Sequence, residues 1–406
     1  MKPDQSHPRY VLFLLIAVNL FNYIDRQALY AVFPLIKADL QLSDTSLGFL
    51  GSAFMLCYMF SAPLFGWLAD RTSRCAIAAT GVALWSLATV GSGAAFGYRS
   101  LLGARTAVGI GEASFGTVSP GLLADFFPKE KRGKIISLFY LAIPVGSALG
   151  YLLGGSIGQR YGWHTAFFLV GAPGLFLSLP VWFLREPTAV AVVSRQGTSR
   201  PDYLSLARNR SFVITTLAMA AMTFAMGGLA QWAPTFLQRM HGLEVGKANI
   251  LFGGITVVAG VIGTLAGGFL GDRFQRSSRS GYLTVSGVGF VLGAPLLVWA
   301  ILSPSLPGSL GAIFCAEMFL FFNTGPLNTT ILNVTPQPLR AMAFAVNIFF
   351  IHALGDALSP TLLGWLSDLT DLRRSLLVTP LALLVAATLC FLGRRYVAGD
   401  MAEVGE

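Results

Sequence analysis

The chain has 406 residues, of which 54% are hydrophobic and only 12% charged, and its mean hydropathy is +0.66. An average soluble domain carries about 25% charged residues, so this balance excludes a soluble enzyme or regulatory domain and identifies an integral membrane protein. The net charge of +9 raises nucleic-acid binding as an explanation, and the placement of the charges removes it.

A bilayer core of about 30 Å takes about 20 apolar residues per helix. The apolar runs predict twelve spans, over 11–36, 46–69, 75–98, 100–125, 133–158, 164–185, 210–237, 246–271, 280–302, 308–333, 340–367 and 374–393. The first run lacks a small-residue cleavage site and carries Asp25 and Arg26, which makes it a retained span rather than a signal peptide. With the N-terminus inside, 19 of the 28 basic residues fall on cytoplasmic segments, 7 on outer segments and 2, Arg26 and Arg105, within spans. That asymmetry follows the positive-inside rule. It predicts a multi-pass protein of a cell inner membrane with both termini cytoplasmic, and no nucleic-acid partner.

In the first span Asp25 and Arg26 sit near the middle of the apolar run. A charge at that depth costs roughly 2.5–3.5 kcal/mol on insertion scales, which a polar cavity at the axis of a helix bundle offsets. Asn19, Asn22 and Arg26 fall at i, i+3 and i+7, a polar stripe expected to face a path for a solute. Seven residues separate Arg105 from Glu112 in the fourth span, which puts them on one helix face about 10 Å apart. Structural salt bridges are the plain reading of these charges, but intramembrane acids favour a functional one. Desolvation favours a protonated acid and a neighbouring Arg an ionised one, so an anion arriving at the Arg tips the acid toward protonation. Asp25 and Glu112 are therefore candidate proton sites, with Arg26 and Arg105 reading an anionic group or holding the acids.

Two motifs recur along the chain. Gly66-Trp-Leu-Ala-Asp70-Arg71 after the second span returns as Gly268-Phe-Leu-Gly-Asp272-Arg273 after the eighth, and Pro128 with Arg132 returns as Pro336 with Arg340. The chain thus reads as two six-span halves, 1–185 and 210–406, joined by a polar cytoplasmic linker at 186–209. Parallel halves of this kind place a binding site between them near the midplane. Asp70, Arg71 and Arg74, with Asp272 and Arg273, are expected to gate through ion pairs at cytoplasmic helix ends. Gly146, Gly150 and Gly154, spaced by four in the fifth span, predict close approach of another helix.

The second half is less charged. Its candidates for the cavity wall are Glu317 and Asn323 in the tenth span, with Asn347, His352 and Asp356 in the eleventh. His352 and Asp356 at i, i+4 resemble a metal pair, but no third ligand lies near in sequence, so a hydrogen-bonded pair is the better reading and no metal is expected. Phe319-Leu-Phe-Phe322 and Phe349-Phe350 would make the cavity half greasy, which suits an amphiphile. The four cysteines, Cys57, Cys75, Cys315 and Cys390, show no metal-ligand spacing and read as packing residues.

The stretch from Gly66 to Arg74 resembles the loop motif of the major facilitator superfamily, and Gly146, Gly150, Gly154 and Gly155 resemble its antiporter motif, with Tyr151 where that motif has proline. Within the superfamily the chain is similar to the spinster family. The matching residues are Asn22-Tyr-Ile-Asp-Arg26, Gly109-Ile-Gly-Glu-Ala-Ser114 with Pro120 and Ala124-Asp125, Phe139-Tyr-Leu-Ala-Ile-Pro-Val-Gly146, Arg185-Glu-Pro187, Glu317 with Asn323, and Leu354-Gly-Asp-Ala-Leu-Ser-Pro360.

The resemblance implies an all-α membrane fold of twelve helices in two pseudo-symmetric six-helix bundles. It implies an alternating-access carrier and not an enzyme, moving a lysophospholipid or sphingosine-phosphate-like amphiphile, with a proton gradient as energy source and no cofactor. Asp25 and Glu112 would couple protons; Arg26, Arg105, Asn22, Glu317, Asn323, His352 and Asp356 would bind substrate. The compact length suggests a bacterial member, and a monomer is expected. The alternatives are a proton-coupled carrier of small organic anions, a multidrug efflux carrier, a non-transporting lipid receptor, and an intramembrane enzyme built on Ser359, His352 and Asp356.

Overall fold

The computed structural model describes residues 7–69, 71–128, 135, 136, 138–186 and 204–405. Twelve long helices account for most of them: α1 Pro8–Ala31, α2 Asp44–Ala69, α3 Arg74–Gly93, α4 Tyr98–Asp125, α5 Leu138–Tyr161, α6 Trp163–Trp182, α7 Arg210–His241, α8 Val245–Ser277, α9 Gly281–Leu302, α10 Leu306–Asn333, α11 Met342–Leu369 and α12 Leu372–Gly393. A short amphipathic helix, α13 Val397–Gly405, follows. Among the described residues, eleven helices are long and apolar enough to cross a membrane. The remaining long helix is α4, whose Arg105 and Glu112 make it less apolar although its 28 residues exceed the length needed.

Local chemistry sets several helix ends. The first span is expected over 11–36, yet α1 stops at Ala31 and a separate short helix runs Phe33–Leu40. Pro34 has no N–H and its ring crowds the preceding turn, so the helix breaks there. Ser73 caps α3 by accepting from Ala76 N, and Asn209 caps α7 by accepting from Phe212 N at 2.8 Å. Two spans expected to be continuous are interrupted. In α10 a 3-10 turn at Phe321–Asn323 precedes a restart at Pro326; in α11 a π-turn at His352–Asp356 has Gly355 at φ −101, ψ −105, outside helical values.

The described residues form two compact units, Met1–Gly197 with Leu243–Gly253, and Thr198–Gly242 with Gly254–Glu406. In the first, α1 packs on α5 and α6, α4 on α2 and α3, and α3 on α6. In the second, α7 packs on α11 and α12, α9 on α10 and α12, and α8 on α10. Adding six to each helix number converts the first set into the second, so the sequence repeat is a repeat of packing.

The close approach predicted for the fifth span is present. Built Cβ atoms on Gly146, Gly150 and Gly154 would come within 2.6–2.8 Å of Leu20 O, Ile24 O and Ala28 Cα on α1. The same device joins α8 to α10, where Cβ atoms on Gly263 and Gly267 would lie 2.2 Å from the Met318 and Phe322 carbonyls. The Phe321 ring lies 3.4 Å from a Cβ built on Gly260 of α8, so this phenylalanine packs α10 on α8. Large apolar side chains elsewhere face outward, Phe13, Phe60, Phe176 and Leu265 among them. A lipid-facing surface accounts for them.

Candidate transport site

Neighbouring residues on an α-helix point about 100° apart, so Asp25 and Arg26 of α1 serve different partners. Asp25 Oδ1 accepts from Arg105 Nη1 of α4 at 3.2 Å, and Thr89 of α3 donates its hydroxyl to Asp25 Oδ2. Arg26 Nε donates to Glu112 Oε2 of α4 at 2.5 Å. Arg105 and Glu112 share a face two turns apart, so α1 and α4 are joined by two ion pairs one above the other. No pair forms between the sequence neighbours.

The two pairs differ in access. The Asp25 and Arg105 side chains are 2% and 1% exposed and Glu112 is fully buried, whereas Arg26 keeps 15% of its surface. Arg26 is thus the one member of this quartet with an open side. Its guanidinium lies 5.1 Å from the Tyr23 ring, 5.0 Å from Phe54 and 5.1 Å from Tyr58, a cage that stabilises a cation. Arg105 approaches Phe54 as well, at 5.6 Å. Glu112 Oε1 and Arg105 Nε have no hydrogen-bond partner among the described residues, so Glu112 keeps one oxygen able to carry a proton.

Sequence reasoning missed Thr89 and the three rings; a lone hydroxyl and aromatic residues in apolar spans look like ordinary packing until their neighbours are known. The polar stripe needs correction. Asn19 is buried and donates to Phe139 O of α5 at 3.1 Å, so this end of the stripe faces a helix rather than a solute path. Asn22 is buried too.

In the second unit Glu317 of α10 is buried and its Oε1 accepts from the Thr256 hydroxyl of α8 at 3.2 Å, while Oε2 has no partner among the described residues. Thr256 is a second hydroxyl that sequence reasoning passed over. Asn323 closes the 3-10 turn of α10 by donating to Leu320 O, and Asn347 is buried. His352 Nδ1 and Asp356 Oδ1 stand 2.9 Å apart, both partly exposed, across the π-turn of α11. The hydrogen-bonded reading of this pair holds. Ser359 is buried with no hydrogen bond from its hydroxyl among the described residues, so the three residues make no nucleophile–base contact. No group of three His, Cys, Asp or Glu fit to hold a metal occurs among the described residues.

At the end of the first unit, Arg74 pairs with Asp125 at 2.7 Å and with Glu186 at 3.5 Å. Glu186 also accepts from Ser73 Oγ at 2.8 Å and Cys75 N at 2.9 Å. Burial pushes its carboxyl up, but these hydrogen bonds and Arg74 outweigh it and hold Glu186 below the usual carboxylate range. Arg71 donates to Trp67 O at 2.9 Å and stacks on the Trp67 ring, so it stays on its own helix end. Asp70 lies outside the described residues, as do 187–203 of the linker. In the second unit Asp272 accepts from the Tyr282 hydroxyl at 2.9 Å, and Arg273 is exposed.

Residues 15–360 match the model of the major facilitator superfamily. Protein spinster homolog 1 of Xenopus laevis is 34% identical over 382 residues, covering 88% of this chain and 72% of the relative; the Homo sapiens homolog 1 is 35% identical over 392 residues, covering 90% and 74%. The chain belongs to the spinster proteins of the major facilitator superfamily. A solved bacterial homolog of the human lysosomal transporter Spinster, inward-facing and unoccupied, superposes with a TM-score of 0.88 at 25% identity, covering 98% of this chain and 99% of that one. A D-xylose–proton symporter shares the fold, with a TM-score of 0.80 at 18% identity.

This spinster protein is accordingly a multi-pass membrane transporter of a small molecule and not an enzyme. Its α1–α4 quartet combines a ring-caged Arg26 side chain that keeps some exposed surface with a fully buried carboxylate paired to it, and a second buried acid, Glu317, stands in the other unit.

Proposed function

We propose that this spinster protein is a secondary active, proton-coupled carrier of a single-chain phospholipid or sphingosine-phosphate-like amphiphile, working as a monomer by alternating access in a cell inner membrane with both termini cytoplasmic. The observation that carries the reading is the access difference within the quartet: only Arg26 is open, and its carboxylate partner is fully buried. A phosphate reaching Arg26 competes for the guanidinium, which favours bidentate phosphate over a carboxylate held through one nitrogen. Glu112 is then a buried charge without its partner, a costly state that taking up a proton removes. Substrate binding and proton uptake are thereby linked at one pair. Asp25 holds α1 against α4 through Arg105 and against α3 through Thr89, so that this exchange happens at a fixed place, and Arg26's cage of three rings offers a greasy wall to the start of an acyl chain. In the other unit Glu317, His352 and Asp356 serve substrate or protons while Asn323 shapes the turn of α10 beside them, and Arg74 and Arg71, with Asp272 and Arg273, serve the gate.

Uptake of a labelled lysophospholipid into proteoliposomes tests the substrate class. The reading predicts uptake that excess water-soluble organic anion does not compete away. Uptake of the soluble anion without movement of lysophospholipid would transfer the same Arg26–Glu112 chemistry to a small-anion carrier.

A further inference from the structure

The second unit contains a cavity of about 610 Å³ that the transport reading does not use, bordered by Arg208, Arg210, Arg395, Tyr396, Asp400 and Glu403. Its depth follows from the chain. Helix α7 begins at Arg210, α10 ends at Asn333 beside Val334 of the cavity wall, and α12 ends at Gly393 just before Arg395. Three span ends meeting at one place put the cavity at the level of lipid headgroups rather than in the hydrocarbon or in bulk water.

The short helix α13 forms one side. Asp400 on it accepts from Ser211 N at 2.8 Å and Val397 is buried, so α13 is fastened to the start of α7. That bond engages the Asp400 charge at a helix N-terminus, where a carboxylate is favoured. Arg210 stacks 5.3 Å over the Tyr396 ring. Neither Arg210 nor Arg395 has a carboxylate partner among the described residues, although Glu403 borders the same cavity. The cations of the wall are all arginines, the side chain whose planar fork matches phosphate.

We infer that this cavity binds the phosphate of a membrane phospholipid headgroup, at a site separate from Arg26 and independent of what the protein transports. Arg210 and Arg395 hold the phosphate, and Glu403 at the rim weakens binding of purely anionic headgroups.

The test is native mass spectrometry of the full chain in detergent, titrated with phosphatidylglycerol or with inorganic phosphate. One tightly retained phosphatidylglycerol is expected on the parent. Basic residues near a membrane surface contribute about 1 kcal/mol each toward anionic lipid, so Arg210→Ala with Arg395→Ala should weaken it on the order of 30-fold. Glu403→Gln should strengthen it several-fold, a gain that damaged folding does not mimic. Arg9→Ala with Arg276→Ala, basic residues expected on the same membrane side, should leave it unchanged. Equal loss in both double variants, or no response to Glu403→Gln, would overturn the site. Retention of inorganic phosphate in place of lipid, lost in the Arg210/Arg395 variant, would overturn the lipid source and make this a soluble-anion site.

Discussion

Asp25 and Arg26 are adjacent in the chain but belong to two devices, and substitution should separate them. Breaking a buried ion pair by removing one partner costs about 3–5 kcal/mol, whereas removing both costs much less. Arg105→Gln should therefore lower stability in detergent by about 3–5 kcal/mol, and Asp25→Asn added to it should recover most of that loss, read as the unfolding midpoint. Arg26→Lys keeps the charge but loses the fork. It should leave the unfolding midpoint near the parent's and weaken substrate binding by about 1.5 kcal/mol, roughly tenfold, as measured by titration. A residue of a different kind is Glu186, held ionised by Ser73, Cys75 and Arg74. Its carboxyl lies below the usual range when folded, so its stabilising contribution is complete above the unfolded value of about 4.3 and is lost as pH falls through the lower folded value. Acid unfolding curves of the parent and Glu186→Gln should be fully separated above about pH 4.3 and converge only as pH falls below the depressed folded value.

At the scale of the helix, glycine spacing predicted a contact and the structure names its partner. Gly150→Ala would press a methyl to within 2.6 Å of Ile24 O, and overpacking of that kind costs about 1–3 kcal/mol. Gly254→Ala in α8 meets nothing within 4 Å and should be neutral or slightly stabilising, since alanine is the better helix former. Thermal unfolding of the two variants checks the contrast. The twelve helices themselves were legible because apolar run length is dictated by the bilayer. The breaks at Phe321–Asn323 and His352–Asp356 were not, although Gly325-Pro326 and Gly355 with Pro360 mark them. Glycine and proline are common in membrane helices, and only the packing of Gly355 on Ala220 and Thr223 of α7 shows why the turn opens there.

For the whole molecule, the sequence repeat translates into one packing scheme used twice, and the charged residues proposed to carry function are concentrated in the first copy. That Asp25, Arg26, Arg105 and Glu112 would meet inside the bundle was readable from the cost of burying charge. Their pairing was not, because a helix face is known from spacing but its neighbour across the bundle is not; so Thr89, Tyr23, Phe54 and Tyr58 escaped notice and Asn19 was given a solute path it does not face. What the assembled quartet adds to the proposal is an order of events: anion at Arg26, then proton at Glu112. The most direct test is lysophospholipid flux in proteoliposomes with and without an imposed pH gradient, comparing the parent with Glu112→Gln. The account predicts that the gradient accelerates the parent, and that Glu112→Gln still binds lysophospholipid but moves it at one rate whatever the gradient. A Glu112→Gln protein that responds to the gradient as the parent does would contradict it.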